Sequence, residues 1–83
     1  MKKSSKKLPL DASQELIKLG NRIKALRIQN GYTSYETFAY EHDIARAQFG
    51  RYEKGEDIRF STLIKVINAF GLTVEEFFSE GFD

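Results

Sequence analysis

Two arginines, Arg46 and Arg51, stand in the run HDIARAQFGRYEKGEDIRF, His42 to Phe60, with Ala47 and Gly50 between them. At 100° per residue these four share one arc of a helix, and Ala45, Phe49 and Tyr52 share another. The second arc is the one to pack inward, which leaves a face that is basic at its edges and flat in the middle. A guanidinium is a rigid fork of donors that matches guanine O6 and N7 in the DNA major groove, while alanine and glycine set clearance and meet thymine methyls. The same pattern describes a solvated helix whose arginines serve solubility and in which Gly50 is a propensity defect. The helical wheel alone leaves both readings open.

Other chemistry has thinner support. His42 is the single histidine and the chain has no cysteine, so thiolate metal sites and disulfides are excluded and a histidine metal centre lacks a second ligand of its kind. A half-buried packing role is the expectation for His42. Glu53, Glu56 and Asp57 follow no calcium-loop spacing, and a chain this short has little room for a deep pocket. No set of nucleophile, base and oxyanion donors can be assembled, so the chain is not expected to be an enzyme, and no cofactor or metal is expected. Glu53 reads instead as a group that holds the helix exit near Gly55 through hydrogen bonds or an ion pair.

The elements that must carry the arginine face are short. Asp11 with Gln14 three residues on is a helix start, and Leu16, Leu19, Ile23 and Leu26 follow at three- and four-residue steps until Gly31 closes the helix. Gly20 in its interior either admits a close backbone contact or marks a weak point. Ser34 caps a second helix with Phe38 and Ala39 inward, and Ile44 to Glu53 forms the third. Ser61 caps a fourth through Leu63, Ile64, Val66, Ile67 and Phe70 to Gly71. Thr73 and Glu76 make a capping box for a fifth, ahead of Phe77 and Phe78. No segment alternates with period two, so the expected fold class is all-α.

The 83 residues suit one domain, over residues 11–83, preceded by a flexible basic arm over residues 1–10. Lys2, Lys3, Lys6 and Lys7 give that arm +4, and since the formal net charge is +1 the remainder carries −3. Any nucleic-acid binding must therefore rest on where charge is placed. The arm is either a phosphate-contacting segment or a solvated tail. No apolar run reaches the roughly 20 residues of a membrane span and no signal-peptide core follows the lysines, so a cytoplasmic protein without membrane contact is expected.

Residues 19 to 78 resemble the phage-repressor helix-turn-helix family, also called the XRE family. Its opening leucine-glycine-x-x-isoleucine-x-x-x-arginine matches Leu19, Gly20, Ile23 and Arg27, and its leucine-alanine pair is similar to Phe38 and Ala39. Ile44 matches the isoleucine after the turn and Phe49 the buried hydrophobe of the recognition helix. Tyr52, Glu53 and Gly55 match the closing tyrosine-glutamate-x-glycine. The resemblance implies a compact five-helix, lambda-repressor-like domain with its helix-turn-helix over about residues 34–53, the third helix lying in the major groove of double-stranded DNA and the second bridging the backbone. It places Arg46, Ala47, Gly50 and Arg51 toward bases and Tyr35 and Gln48 toward the backbone, with Ser34 and Lys54 as further backbone candidates; Arg59, where the family's common proline before the fourth helix is missing, either meets a phosphate or sits in solvent. The implied function is a sequence-specific DNA-binding transcriptional regulator, a repressor on an inverted-repeat operator. An antitoxin-like regulator, or a protein-interaction module of the same fold, is the alternative.

The departures from the family matter. Tyr35 stands where a glutamine commonly begins the second helix, and its hydroxyl can still donate to phosphate. Asp43 replaces the turn glycine, tolerates left-handed backbone and can cap the next helix where Ala45 cannot. Gly50 removes a side chain that the family often uses to read bases. A single helix-turn-helix usually covers one half-site, so a homodimer is expected, formed through the C-terminal helix and tail with Phe77, Phe78 and Phe82; the other possibility is that all three fold onto the core.

Overall fold

Asp11 opens the first helix in extended backbone (φ −104°, ψ 112°), accepting hydrogen bonds at Oδ1 from the Ser13 hydroxyl at 2.8 Å and the Ser13 amide at 3.0 Å. Those bonds, the hydroxyl first, hold its carboxyl below the ordinary carboxylate pKa. The partner is Ser13, so Asp11 and Gln14 do not form a reciprocal box. In this computed structural model residues 9–83 are described, so the basic arm lies outside the described residues except for Pro9 and Leu10. The order is α1 Ala12–Gln29, α2 Tyr35–Glu41, α3 Arg46–Glu53, α4 Phe60–Ala69 and α5 Val74–Phe77, with no strand among the described residues.

Local chemistry accounts for most boundaries. Gly31 at φ +90° and Gly71 at φ +74° take the left-handed conformation that ends α1 and α4. Ser34 caps α2 by accepting from the Glu36 and Thr37 amides at 3.2 and 3.3 Å. Thr73 and Glu76 form the full reciprocal box at α5. Two starts differ from expectation. α3 begins at Arg46, not Ile44, because Asp43 at φ +59° breaks the helical path and Ile44 is spent as a core plug; Ala45 is the cap and offers no side-chain bond. α4 begins at Phe60 with Arg59 as its uncapped N-cap, so Ser61 lies inside the first turn and is not the cap.

The core is aromatic at its centre. The Phe38 ring lies 5.1 Å from Phe49 and 5.0 Å from Phe70, and Ile23, Ala39, Phe49, Val66 and Phe77 are wholly buried. Full burial of one such large apolar side chain contributes about 1.5–3 kcal/mol, so Phe38, Phe49 and Phe70 tie α2, α3 and the end of α4 together.

Two buried arginines of α1 hold the ends of other helices. Arg27 makes a bidentate ion pair with Glu53 (Nε to Oε2 2.6 Å, Nη2 to Oε1 3.0 Å) and donates from Nη1 to the Tyr32 carbonyl at 2.7 Å. The pair side chains are only 5% and 7% exposed. Arg22 donates to the Phe77 carbonyl at 2.7 Å and the Glu76 carbonyl at 3.1 Å, pinning α5. Gly20 is where α1 meets the exit of α3. A Cβ there would stand 2.6 Å from the Tyr52 carbonyl oxygen and 2.7 Å from that of Glu53, so the close backbone contact is the reason for glycine.

Candidate nucleic-acid interface

α3 is anchored on one side and open on the other. Phe49 and Tyr52 are buried and Arg46, Ala47 and Arg51 exposed, as the helical wheel predicts; Gln48 is exposed as well, and Gly50, expected on the outward arc, is buried. Ala45 also departs from the wheel, because as the cap of α3 it is exposed and not part of the inward arc. The turn before α3 is held at both ends. The Ile44 amide donates to the Ala39 carbonyl at 2.8 Å, and Lys65 Nζ of α4 donates to the Asp43 carbonyl at 2.6 Å. Asp43 therefore supplies the left-handed backbone expected of it, but its side chain does not cap α3.

Gly50 is buried, and the residue covering it is Tyr35. A Cβ on Gly50 would fall 2.7 Å from Tyr35 Cε1, 2.8 Å from Cζ and 3.0 Å from the hydroxyl oxygen. The flat middle expected at Gly50 is thus occupied by an aromatic ring from the first residue of α2. Tyr35 and Gly50, separate departures along the sequence, form one contact in the folded chain.

The remaining residues sit as follows. Arg51 Nη1 donates to Gln48 Oε1 at 3.1 Å on the exposed side of α3. Lys54 is the exposed C-cap of α3 and Arg59 the exposed N-cap of α4. Ser34 is half-buried with its oxygen engaged in capping α2. A shallow depression between α2 and the start of α3 is lined by Ser34, Glu36, Thr37, Tyr40 and Arg46. Thr37 and Tyr40 are not among the residues expected at the site, although their three-residue spacing places both on the side of α2 away from Phe38 and Ala39. Tyr40 is 76% exposed, the most open aromatic side chain among the described residues.

Groups weighed for other chemistry resolve into structure. His42 is half-buried with its ring 4.4 Å from that of Phe38 and 6.1 Å from that of Tyr32, a packing role. Glu53 is the partner of Arg27, and Asp57 accepts from the Ile58 amide at 2.9 Å. The Tyr32 hydroxyl donates to Glu41 at 2.7 Å, and that bond raises its pKa. Among the described residues no three His, Cys, Asp or Glu side chains gather as metal ligands, and no helix is long and apolar enough to cross a membrane.

The three C-terminal aromatics divide. Phe77 is wholly buried under Arg22, whose guanidinium lies 5.7 Å from its ring centre, so the expectation that Phe77 faces a partner is corrected: it belongs to the chain's own core. Phe78 is 39% exposed and packs 4.9 Å from the half-buried Phe82. These two rings, with Ala12, Leu16 and Leu19 of α1, line an apolar groove edged by Glu15 and Asp57.

No family model matches the chain, and no solved structure matches it. Among curated proteins it is 32% identical over 65 residues to the control protein C.MunI of Mycoplasma sp., an alignment covering 77% of this chain and 88% of the relative. That span is long enough to carry the whole helix-turn-helix and most of the helices around it. A compact set of five helices with an anchored, exposed third helix and a control protein as relative lead to one assignment: the chain belongs to the family of that control protein, a regulatory helix-turn-helix family.

Proposed function

We propose that this protein is a sequence-specific, double-stranded-DNA-binding transcriptional regulator, a repressor that occupies an inverted-repeat operator with α3 in the major groove. The observation that carries the reading is the two-sided character of α3: Phe49 and Tyr52 are locked in the core while Arg46, Ala47, Gln48 and Arg51 are presented outward. Arg46 and Arg51 contribute guanidinium forks to base edges, and Ala47 allows the helix to approach. Ser34, Gln48, Lys54 and Arg59, with Tyr35, make the backbone contacts that fix register. The relative is named a control protein, which supports a regulatory role. The protein works in the cytoplasm as a homodimer, with Phe78 and Phe82 at the two-fold contact and each copy reading one half-site.

Selection from a randomised duplex pool at two salt concentrations tests this. A short inverted repeat is enriched, binding weakens as salt rises, and Arg46→Ala or Arg51→Ala costs about 1–3 kcal/mol with relaxed preference at one base position. Binding indifferent to both substitutions removes α3 from the groove. Failure to bind DNA at low salt favours the protein-interaction reading, for which the −3 charge of the body beyond the first ten residues is the supporting observation.

A further inference from the structure

The exposed face of α3 has a gap in its own side chains at Gly50, and that gap is filled from α2. The Tyr35 ring lies flat enough on Gly50 that its Cε1, Cζ and hydroxyl oxygen all come within 3.0 Å of where a Cβ would stand. Gly50 is buried as a result, while Tyr35 keeps part of its surface in solvent. The side-chain hydrogen bonds nearby run elsewhere: Ser34 to the α2 amides and Arg51 to Gln48. Among the described residues none engages the Tyr35 hydroxyl. Tyr32, by contrast, has its hydroxyl committed to Glu41.

We propose that Tyr35 and Gly50 act as one contact unit: glycine at position 50 is a seat that lets the Tyr35 hydroxyl reach a DNA phosphate oxygen at the α2 edge of α3, in place of a side chain from α3 itself. The inference rests on the DNA-binding reading and adds to it a coupling between two residues on different helices. On the helical wheel Gly50 lies 40° from Arg46 and 100° from Arg51, inside the arc the two arginines bound, so a hydroxyl held over it from α2 emerges on the arginine face at the side nearer Arg46. A phenol donates to phosphate oxygen, and a ring fixed by packing has little rotamer freedom left to lose when it does so. Gly50 is then a fitted position whose side chain is supplied by its neighbour. Any residue larger than glycine must displace the ring, and it can, because the obstacle is the far end of a side chain and not backbone.

The experiment uses the full chain and the duplex that wild type selects from a random pool, with Tyr35→Phe, Gly50→Ala, the double variant, and Arg46→Ala as the groove control. Tyr35→Phe keeps the ring and removes only the hydroxyl, so it folds as wild type. Its affinity falls about tenfold, by a similar factor on specific and mismatched duplexes, as expected for one hydrogen bond to a charged phosphate. Gly50→Ala falls by a similar factor, and the double variant is no more than about twofold weaker than the weaker single variant, since each change removes the same contact. Wild-type affinity in Tyr35→Phe while Arg46→Ala is weakened overturns the unit and leaves the DNA reading standing; so do losses that multiply in the double variant. No DNA binding by wild type, or indifference to Arg46→Ala and Tyr35→Phe together, overturns both.

Discussion

At the scale of single residues, the ion pair of Arg27 and Glu53 separates fold from function. Glu53 sits at the end of α3, the helix proposed to face DNA, yet its carboxylate is turned inward, accepting two bonds from Arg27 with almost no exposure of either side chain. Removing one partner leaves the other charge buried without compensation, which costs far more than a surface pair. Glu53→Ala therefore destabilises the protein by about 3–5 kcal/mol in urea unfolding, and a loss under 1 kcal/mol would show the pair to be dispensable. The proposed DNA affinity is expected to be unaffected wherever the protein remains folded. Replacing both partners with apolar residues of similar volume restores much of the loss, because no orphaned charge remains. Arg46 and Arg51 behave oppositely: both are exposed, so their substitution by alanine changes DNA affinity and leaves the unfolding midpoint nearly in place.

Elements add constraints that no single side chain states. α1 and α3 meet at Gly20, whose missing Cβ would strike two backbone carbonyl oxygens at 2.6 and 2.7 Å. Helix propensity favours alanine over glycine by about 1 kcal/mol, but backbone cannot swing aside as a ring can. Gly20→Ala accordingly loses about 1–3 kcal/mol despite the better helix former, a change measurable by thermal or urea unfolding. Equal or greater stability would mean that α1 and α3 separate without cost. Gly50→Ala is the informative contrast, since its obstacle is the Tyr35 side chain; it retains wild-type stability to within about 1 kcal/mol and loses DNA contact instead. Both are helix glycines by sequence, yet one faces backbone of another helix and the other a tyrosine ring, which the proposal makes a seat for a DNA contact.

For the whole molecule, the distribution of the C-terminal aromatics decides what a second copy can touch. Phe77 is wholly buried and roofed by Arg22, so Phe77→Ala acts on stability at about 3–5 kcal/mol. Phe78 and Phe82 remain half open beside Leu16. In the proposed dimer, Phe78→Ser shifts sedimentation toward the monomer and weakens binding to a full inverted repeat much more than to an isolated half-site. A dimer unchanged by Phe78→Ser places the two-fold contact on another face. The basic arm is tested at this scale as well: deleting residues 1–9 weakens binding evenly across sequences if its lysines meet phosphates, and changes nothing if it is a solvated tail.

What the sequence by itself determined was everything set by local chemistry and period. The all-helical class, the caps at Asp11, Ser34 and Thr73, the glycine stops at Gly31 and Gly71 and the inward anchors Phe49 and Tyr52 are written in residues close together along the chain. Even the starts of α3 and α4 missed by only a residue or two, because Asp43 and Arg59 leave weak boundary signals. Tertiary structure alone decided the pairings between distant positions: Arg27 with Glu53, Gly20 with the α3 carbonyls, Tyr35 over Gly50, and Phe77 inward with Phe78 outward. A glycine's reason lies in the atom that approaches it, and that atom belongs to another helix. Periodicity assigns a residue to a face, but only packing shows what already occupies that face.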